Sequence, residues 1–264
     1  MHVFGEYGII FTESRGALSF RYKGDAEKAP FLGTSQWKDI DAALSPGGCM
    51  DGVKHLVFVC PCPVVYLPPL LNKLCEPMVQ DALGHWASAP FIPEQTRLLN
   101  LALAWQERDS KFGEMLRERE PPVRPDGIED PLPERGALRT SYPSLAGRPV
   151  KNATSGVQQP SLLQSDRRLT FVGGDVHVGG HTRIFKHGHL VLEQLVSSAI
   201  ANHIIPGLAF EMGKAMQNAL TDLEDGWSFQ HQPYTRLRNY GIVEAGYRAG
   251  DKKPAVTTHI ISAE

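Results

Sequence analysis

Leu169-Thr170-Phe171-Val172-Gly173-Gly174-Asp175-Val176-His177-Val178-Gly179-Gly180 is the stretch that decides how this chain is read. Its first four residues form a short apolar run with β-branched and aromatic members, the composition of a buried strand. The run passes without a break into paired glycines, then an acid and a histidine two residues apart, then glycines again. In α/β sheets ligands gather beyond the carboxyl ends of strands, which is where Asp175 and His177 fall. If the chain stays extended there, the two side chains share one face, because strand side chains alternate. A carboxylate and an imidazole together suit a hard or borderline divalent cation. The flanking glycines would let a phosphate or a second ligand approach the backbone. The same residues also fit a tight turn with an exposed acid and a hydrogen-bonded histidine. A lone D-x-H is too short for spacing to choose between the two.

Working outward, residues 8–13 read as a buried strand ended by Ser14-Arg15-Gly16, and residues 17–22 as an edge or returning strand. Thr34-Ser35 offers a hydroxyl cap to an amphipathic helix carrying Trp37, Ile40 and Leu44, stopped by Gly47-Gly48. Residues 53–60 read as a second buried strand. Strand, helix, strand in this order implies a βαβ unit with parallel strands, hence an α/β fold. Pro93-Glu94-Gln95 opens a further helix that buries Leu98, Leu99, Ala102, Leu103 and Trp105 and runs out near Gln106. Downstream, residues 182–185 and 190–195 form a hairpin around Lys186-His187-Gly188-His189. Residues 210–220 read as a helix and 240–247 as a final strand.

Residues 107–167 differ in kind, with crowded charges, recurrent prolines and few large aliphatics. Such composition buries too little area to offset chain entropy, so the stretch reads as a largely disordered, Pro-rich insertion with a short helix at 110–119. The organisation is therefore 1–106, an insertion at 107–167, and 168–264. Asn152-Ala153-Thr154 matches a glycosylation sequon, read here as chance because no secretory signal precedes it.

The 264 residues are enough for a sizeable core, and 42% of them are apolar. A net charge of −2 gives no broad electrostatic grip on nucleic acid or an anionic membrane. The most apolar window, 56–71, carries Pro61, Pro63, Pro68 and Pro69, which rules against a spanning helix. Cys49, Cys60, Cys62 and Cys75 are too few for a disulfide scaffold; Cys60-Pro61-Cys62 lacks a C-x-x-C spacing, so Cys60 and Cys62 read as buried apolar-like residues. The chain opens within three residues of a strand and shows no leader, the look of an internal start.

Other residues carry weaker signals. Ala201-Asn202-His203-Ile204 echoes the G-N-H-[DE] of metallophosphoesterases but lacks its glycine and its acid; no G-D-x-x-D follows Asp175-Val176-His177 either. His187-Gly188-His189 reads better as a β-turn than as a ligand pair, with glycine at its middle. Asp81-Ala82-Leu83-Gly84-His85-Trp86 sets an acid, a histidine and a tryptophan on one short stretch, where Trp86 is the core residue. Arg15, at the end of the first strand, suits either a bidentate phosphate contact or a structural ion pair. Serine-hydrolase, P-loop and Rossmann signatures are absent.

Taken in order, five segments resemble the PhoD-like alkaline phosphatase family of metallophosphoesterases. Residues 7–15 are similar to that family's strand ending in Asp-Thr-Arg. Residues 30–37 are similar to its L-G-x-x-Q-W helix start, and 57–67, through Cys60-Pro61-Cys62-Pro63, to its strand running into S-P-V-P. Residues 81–86 with 94–99 match its D-x-x-G-[HY]-W and following helix. Gly174-Asp175-Val176-His177 matches its closing G-D-V-H, with Arg238-Asn239-Tyr240-Gly241 resembling a later R-N-Y strand. The likeness covers most of 5–106 and 168–247; Glu13-Ser14 departs from the usual Asp-Thr, and the family's upstream acids and asparagine-histidine motif are absent.

The resemblance implies a metallophosphoesterase-type αββα sandwich lacking its N-terminal half. It implies hydrolysis of phosphate mono- or diesters with two metal ions, divalent or trivalent (Ca, Fe, Mn or Zn). Asp175 and His177 would be metal ligands, Arg15 would steady the phosphoryl oxygens, and Asp81 or His85 would line the pocket or protonate the leaving group. The partner expected is a phosphate-ester substrate, with neither nucleic acid nor a transmembrane segment. The competing expectation is a truncated or degenerate, non-catalytic domain acting as an interaction module.

Overall fold

A computed structural model of the chain describes residues 1–14, 16, 30–75, 84–110, 113–114, 165–198, 219–232, 234–247 and 254–262. The first two strands, β1 (His2–Phe4) and β2 (Tyr7–Phe11), form an antiparallel hairpin whose turn needs the left-handed Gly5, φ 61°. From β2 the chain passes through helix α1 (Thr34–Leu44) to β3 (His55–Val59), which pairs parallel to β2 with Ile9 opposite Val57. This is the expected βαβ unit. Short helix α2 (Pro69–Cys75) and a 3-10 turn (Ala89–Phe91) lead to α3 (Ile92–Gln106). Then β4 (Arg168–Gly173) joins β3 in parallel, Phe58 opposite Phe171. The next hairpin comprises β5 (Gly180–Lys186) and β6 (His189–Val196); β6 pairs parallel to β4. Its tip is His187-Gly188, at φ 50° and 80°, so His187 belongs to a turn as expected, and His189 opens β6 opposite Lys186.

Strands β7 (Leu220–Asp222) and β8 (Trp227–His231) complete an eight-stranded mixed sheet in the order β1-β2-β3-β4-β6-β5-β8-β7. Leu220 therefore opens a strand, where the sequence suggested the end of a helix; residues 199–218 and 17–29 lie outside the described residues. A separate antiparallel ribbon pairs β9 (Asn239–Tyr247) with β10 (Pro254–Ser262). The architecture is a mixed α/β fold with one large mixed sheet and few helices. A second many-stranded sheet, as an αββα sandwich requires, is not among the described residues. No helix among them is long and apolar enough to cross a membrane.

One face of the sheet is sealed by the helices. Ile10, Leu56, Phe58, Leu169 and Phe171 meet Trp37, Ile40 and Leu44 of α1 and Leu98, Leu99 and Leu103 of α3 in one core. The expected hydroxyl cap of α1 is not used. Gly33 occupies the cap position at φ 79°, and no side chain bonds there. Instead Glu94 of α3 accepts from Phe31 N–H (2.8 Å), Leu32 N–H (3.3 Å) and Trp37 Nε1–H (2.6 Å), tying the entry of α1 to α3. The other face, with Ile9, Val57, Val59 and Val172, is only partly covered by the β9–β10 ribbon. A cavity of about 330 Å³ remains between them, and Phe4 and Phe11 are 62% and 58% exposed at its rim.

Glu107, Ser110, Ser165 and Arg167, all inside the 107–167 stretch, are buried. The hydroxyl of Ser165 donates to the Gln106 carbonyl. Gln106 Oε1 accepts from Leu169 N–H at 2.9 Å, and Arg167 reaches Asp109 at 3.1 Å. Gly113 and Glu114 are helical; residues 111–112 and 115–164 lie outside the described residues.

Candidate functional site at the carboxyl edge

Four parallel strands, β2, β3, β4 and β6, end on the same edge of the sheet. Hydrogen bonds carry the ladder one residue past the strands: Thr12 N–H to Val59 O (2.9 Å), Cys60 N–H to Val172 O (2.8 Å), and Ser197 N–H to Gly173 O (3.0 Å). The antiparallel strands also contribute to this edge, since β5 starts there with Gly180 opposite Val196, and β8 ends there with His231 opposite Thr182. The edge therefore gathers Thr12, Cys60, Cys62, Asp175, His177, Ser198 and His231.

Asp175 and His177 stand where the strand pattern predicted, but the backbone carrying them is not extended. Both are left-handed, at φ 69° and 58°, and Val176 N–H turns back to Gly174 O at 2.9 Å. The alternation that would put both side chains on one face does not apply to such a bend. Asp175 is exposed and His177 half-buried, while Val176 and Val178 pack inward against Val196 and Tyr66. The glycines also serve a different end from the one expected. A Cβ on Gly173 would lie 2.9 Å from Pro63 Cα, one on Gly179 2.6 Å from Asn239 Oδ1, and one on Gly180 2.2 Å from the Tyr234 ring. The space they leave is taken by the protein's own atoms rather than held open for a ligand.

His177 N–H donates to Ser198 Oγ at 3.1 Å. Behind it, Asn239 Oδ1 accepts from Ser198 N–H and from Ser197 Oγ–H, both 3.1 Å, and Asn239 Nδ2 donates to Leu237 O at 2.8 Å. Asn239 is 1% exposed. The sequence had given it only as a member of a strand.

Under this loop lie Cys60 and Cys62, both buried free thiols, as the apolar-like reading expected. Burial pushes the Cys60 thiol up to about 12, and burial together with the nearby Cys60 and Asp175 raises Cys62 as well. The last of these influences sets Cys62 beside the Asp175 carboxylate. Thiols kept neutral in this way are poor nucleophiles and poor metal ligands. Cys49 is exposed.

Next to them is an aromatic cluster that sequence reading missed. The ring of Tyr66 lies 6.0 Å from His231, 6.4 Å from Tyr234 and 6.5 Å from His85, and His231 lies 4.8 Å from Tyr234. His231 Nε2 faces the Tyr66 carbonyl at 2.7 Å, which can only accept, so that nitrogen carries the hydrogen. Its Nδ1 then accepts from Thr182 Oγ1–H at 2.8 Å. Burial drops the His231 pKa to about 4, so the ring is neutral above mildly acid pH. Burial raises Tyr66 to about 12 and raises Tyr234 too; the Tyr234 hydroxyl is buried without a hydrogen-bond partner among the described residues. These residues arrive from three separate elements, and no local pattern announces them.

Of the remaining predicted residues, His85 sits half-buried at the rim of this cluster, and Trp86 is core, its ring 4.0 Å from Phe31. Arg15 and Asp81 lie outside the described residues, as do Asn202 and His203. His187 and His189 are exposed at the opposite end of the sheet. Among the described residues, no three of His, Cys, Asp and Glu gather closely enough to hold a metal ion.

No protein-family model matches the chain, and no curated protein matches it. A solved structure described as "Structure of PhoD" aligns with a TM-score of 0.45 and 8% identity, over 99% of this chain and 41% of that one. The chain thus spans well under half the length of that protein. A likeness at this level carries no argument about fold or activity.

Proposed function

We propose that this chain forms part of a PhoD-like, metal-dependent phosphoester hydrolase site, with Asp175 and His177 as metal ligands. The observation that carries this reading is the paired left-handed backbone at an acid and an imidazole on the carboxyl edge of parallel strands. Left-handed non-glycine residues are disfavoured by about 1–3 kcal/mol each, and such strain gathers where function demands a special geometry. An exposed carboxylate and a half-buried imidazole two residues apart are donor types suited to Mn, Fe, Zn or, through the oxygens, Ca. Two donors fill only part of a coordination sphere, so the remaining ligands for a two-ion site belong outside the described residues. Ions held by Asp175 and His177 would supply Lewis acidity for the hydrolysis of a phosphoester.

The chain's own residues then have distinct tasks. Arg15, one residue beyond buried Ser14 after β2, steadies phosphoryl oxygens by a bidentate contact. His85, beside Tyr66, or Asp81 protonates the leaving oxygen. The partly open apolar face of the sheet receives a further layer of an αββα sandwich, because parallel strands are normally covered on both sides.

Hydrolysis of p-nitrophenyl phosphate and of its bis ester, with Ca, Mn, Zn or Fe added in turn, tests the reading. His177→Ala and Asp175→Asn should lower metal-stimulated rates by more than the roughly 10–100-fold typical of changes outside the ligand set. Equal rates in wild type and both variants would sink the proposal. One observation favours a second reading, a non-catalytic interaction module: no third metal donor joins Asp175 and His177 among the described residues. On that reading no metal stimulates hydrolysis by the wild-type chain.

A further inference from the structure

We infer that Asn239 and Ser198 form a positioning relay that holds His177 in its ligating conformation. This deepens the proposal above and rests on it. A histidine at φ 58° needs an external restraint, because its intrinsic preference lies elsewhere. The restraint visible here is the Ser198 hydroxyl, which accepts the His177 N–H at 3.1 Å. A serine hydroxyl following a strand end is itself mobile unless its backbone is fixed. Asn239 does this: its Oδ1 accepts from Ser198 N–H and Ser197 Oγ–H, both at 3.1 Å.

Three features show that Asn239 is fixed in turn. It is 1% exposed, its Nδ2 is spent on Leu237 O at 2.8 Å, and Gly179 is the only residue type that leaves room for its Oδ1. Gly179 is itself locked by reciprocal hydrogen bonds with Thr235, at 2.9 and 2.8 Å. The relay therefore runs from the start of β9, through the end of β6, to the backbone of the proposed ligand. Both ends of the loop bearing Asp175 and His177 are gripped by it. Neither Asn239 nor Ser198 is given a contact with metal or substrate; both act through His177. Second-layer groups that orient a ligand commonly change metal affinity by about 10–100-fold when removed.

The test uses the whole chain, with Co²⁺ as probe, and follows its visible absorption on titration. A second readout is amide hydrogen exchange at His177 in metal-free protein. Ser198→Ala and Asn239→Ala should each weaken cobalt binding by roughly 10–100-fold and alter its absorption band. Exchange at His177 should also quicken in both variants. Ser198→Thr keeps a hydroxyl acceptor and should restore the wild-type band and exchange rate. Ser198→Ala is the decisive variant should Asn239→Ala fold poorly. If Ser198→Ala binds cobalt and protects the His177 amide as wild type does, while His177→Ala loses cobalt, the relay is wrong and the metal reading stands. If wild type binds no cobalt, or His177→Ala binds it equally well, the metal reading fails and the relay inference falls with it.

Discussion

At the end of the sheet away from the candidate site, Lys186 is buried, and its ammonium donates to Asp225 Oδ2 and the Asp225 carbonyl, both at 2.8 Å. Asn100 Oδ1 lies at 3.3 Å and the Trp227 ring at 4.9 Å. At the carboxyl edge the buried basic side chain is His231, held between Thr182 and the Tyr66 carbonyl as a neutral ring. The first end handles a charge by surrounding it with partners. The second handles a titratable group by removing its charge, and leaves an acid, Asp175, exposed nearby in a strained loop. A fully partnered ionic network fixes one conformation at its end of the sheet; the neutral ring at the other end needs no counter-charge.

The sharpest way to break this contrast is steric. Gly180→Val forces a side chain into the Tyr234 ring, whose carbon already lies 2.2 Å from a bare Cβ. A loss of about 3 kcal/mol in unfolding free energy is expected from chemical denaturation, with His231 displaced as well. The equivalent change at Gly188, in open space but at φ 80°, should show only the smaller strain of a left-handed β-branched residue.

Acid should separate the two ends. The folded His231 pKa, about 4, lies below its unfolded value of 6.5, so the native state resists protonation that the unfolded chain accepts. Above pH 6.5 both states are neutral and nothing is lost; between pH 6.5 and 4 stability falls progressively, by up to about 3 kcal/mol. At the other end burial opposes ionisation of Asp225, but hydrogen bonds from Lys186 and Asn100 outweigh it and hold the carboxyl below its ordinary 3.8. Its contribution is therefore intact until the pH falls below about 4. Denaturation monitored at pH 5 should show the His231 loss, joined by that of His181, whose pKa burial also lowers, with the Asp225 contribution still intact; His231→Gln should reduce the slope between pH 6.5 and 4.

The smallest effect carries an unusual sign. His177→Gly relieves the left-handed backbone and should raise stability by about 0.5–1 kcal/mol, or leave it unchanged, while metal affinity disappears. A destabilised variant would mean that the loop is held for structural reasons and would erase the difference between the two ends.

Much of the frame was legible because it is local. Trp37, Ile40 and Leu44 announce α1 by spacing, and the apolar run from Leu169 announces β4. The glycines placed an acid and a histidine just beyond a strand end, and the structure brings Asp175 and His177 to that edge. What was not legible depends on residues distant in the chain. Glu94 ties the approach to α1 from another helix, Tyr234 occupies the space left by Gly180, and Asn239 reaches back to Ser198. The left-handed angles of Asp175 and His177 have no signature in composition either, since aspartate and histidine are compatible with a strand, a turn or a bend.

Ser165 gripping Gln106, and Arg167 reaching Asp109, mean that the chain leaves and re-enters the fold at a single point. Closing a flexible loop grows only slowly with its length, by about 0.6 kcal/mol per doubling. The two stems are fastened to each other, and Arg108 and Arg167 are both drawn to Asp51 beside them, so the described ends of the stretch are held whatever lies between them. Cutting one grip, as in Ser165→Ala, should therefore loosen the stems without moving the far edge where Asp175 and His177 stand.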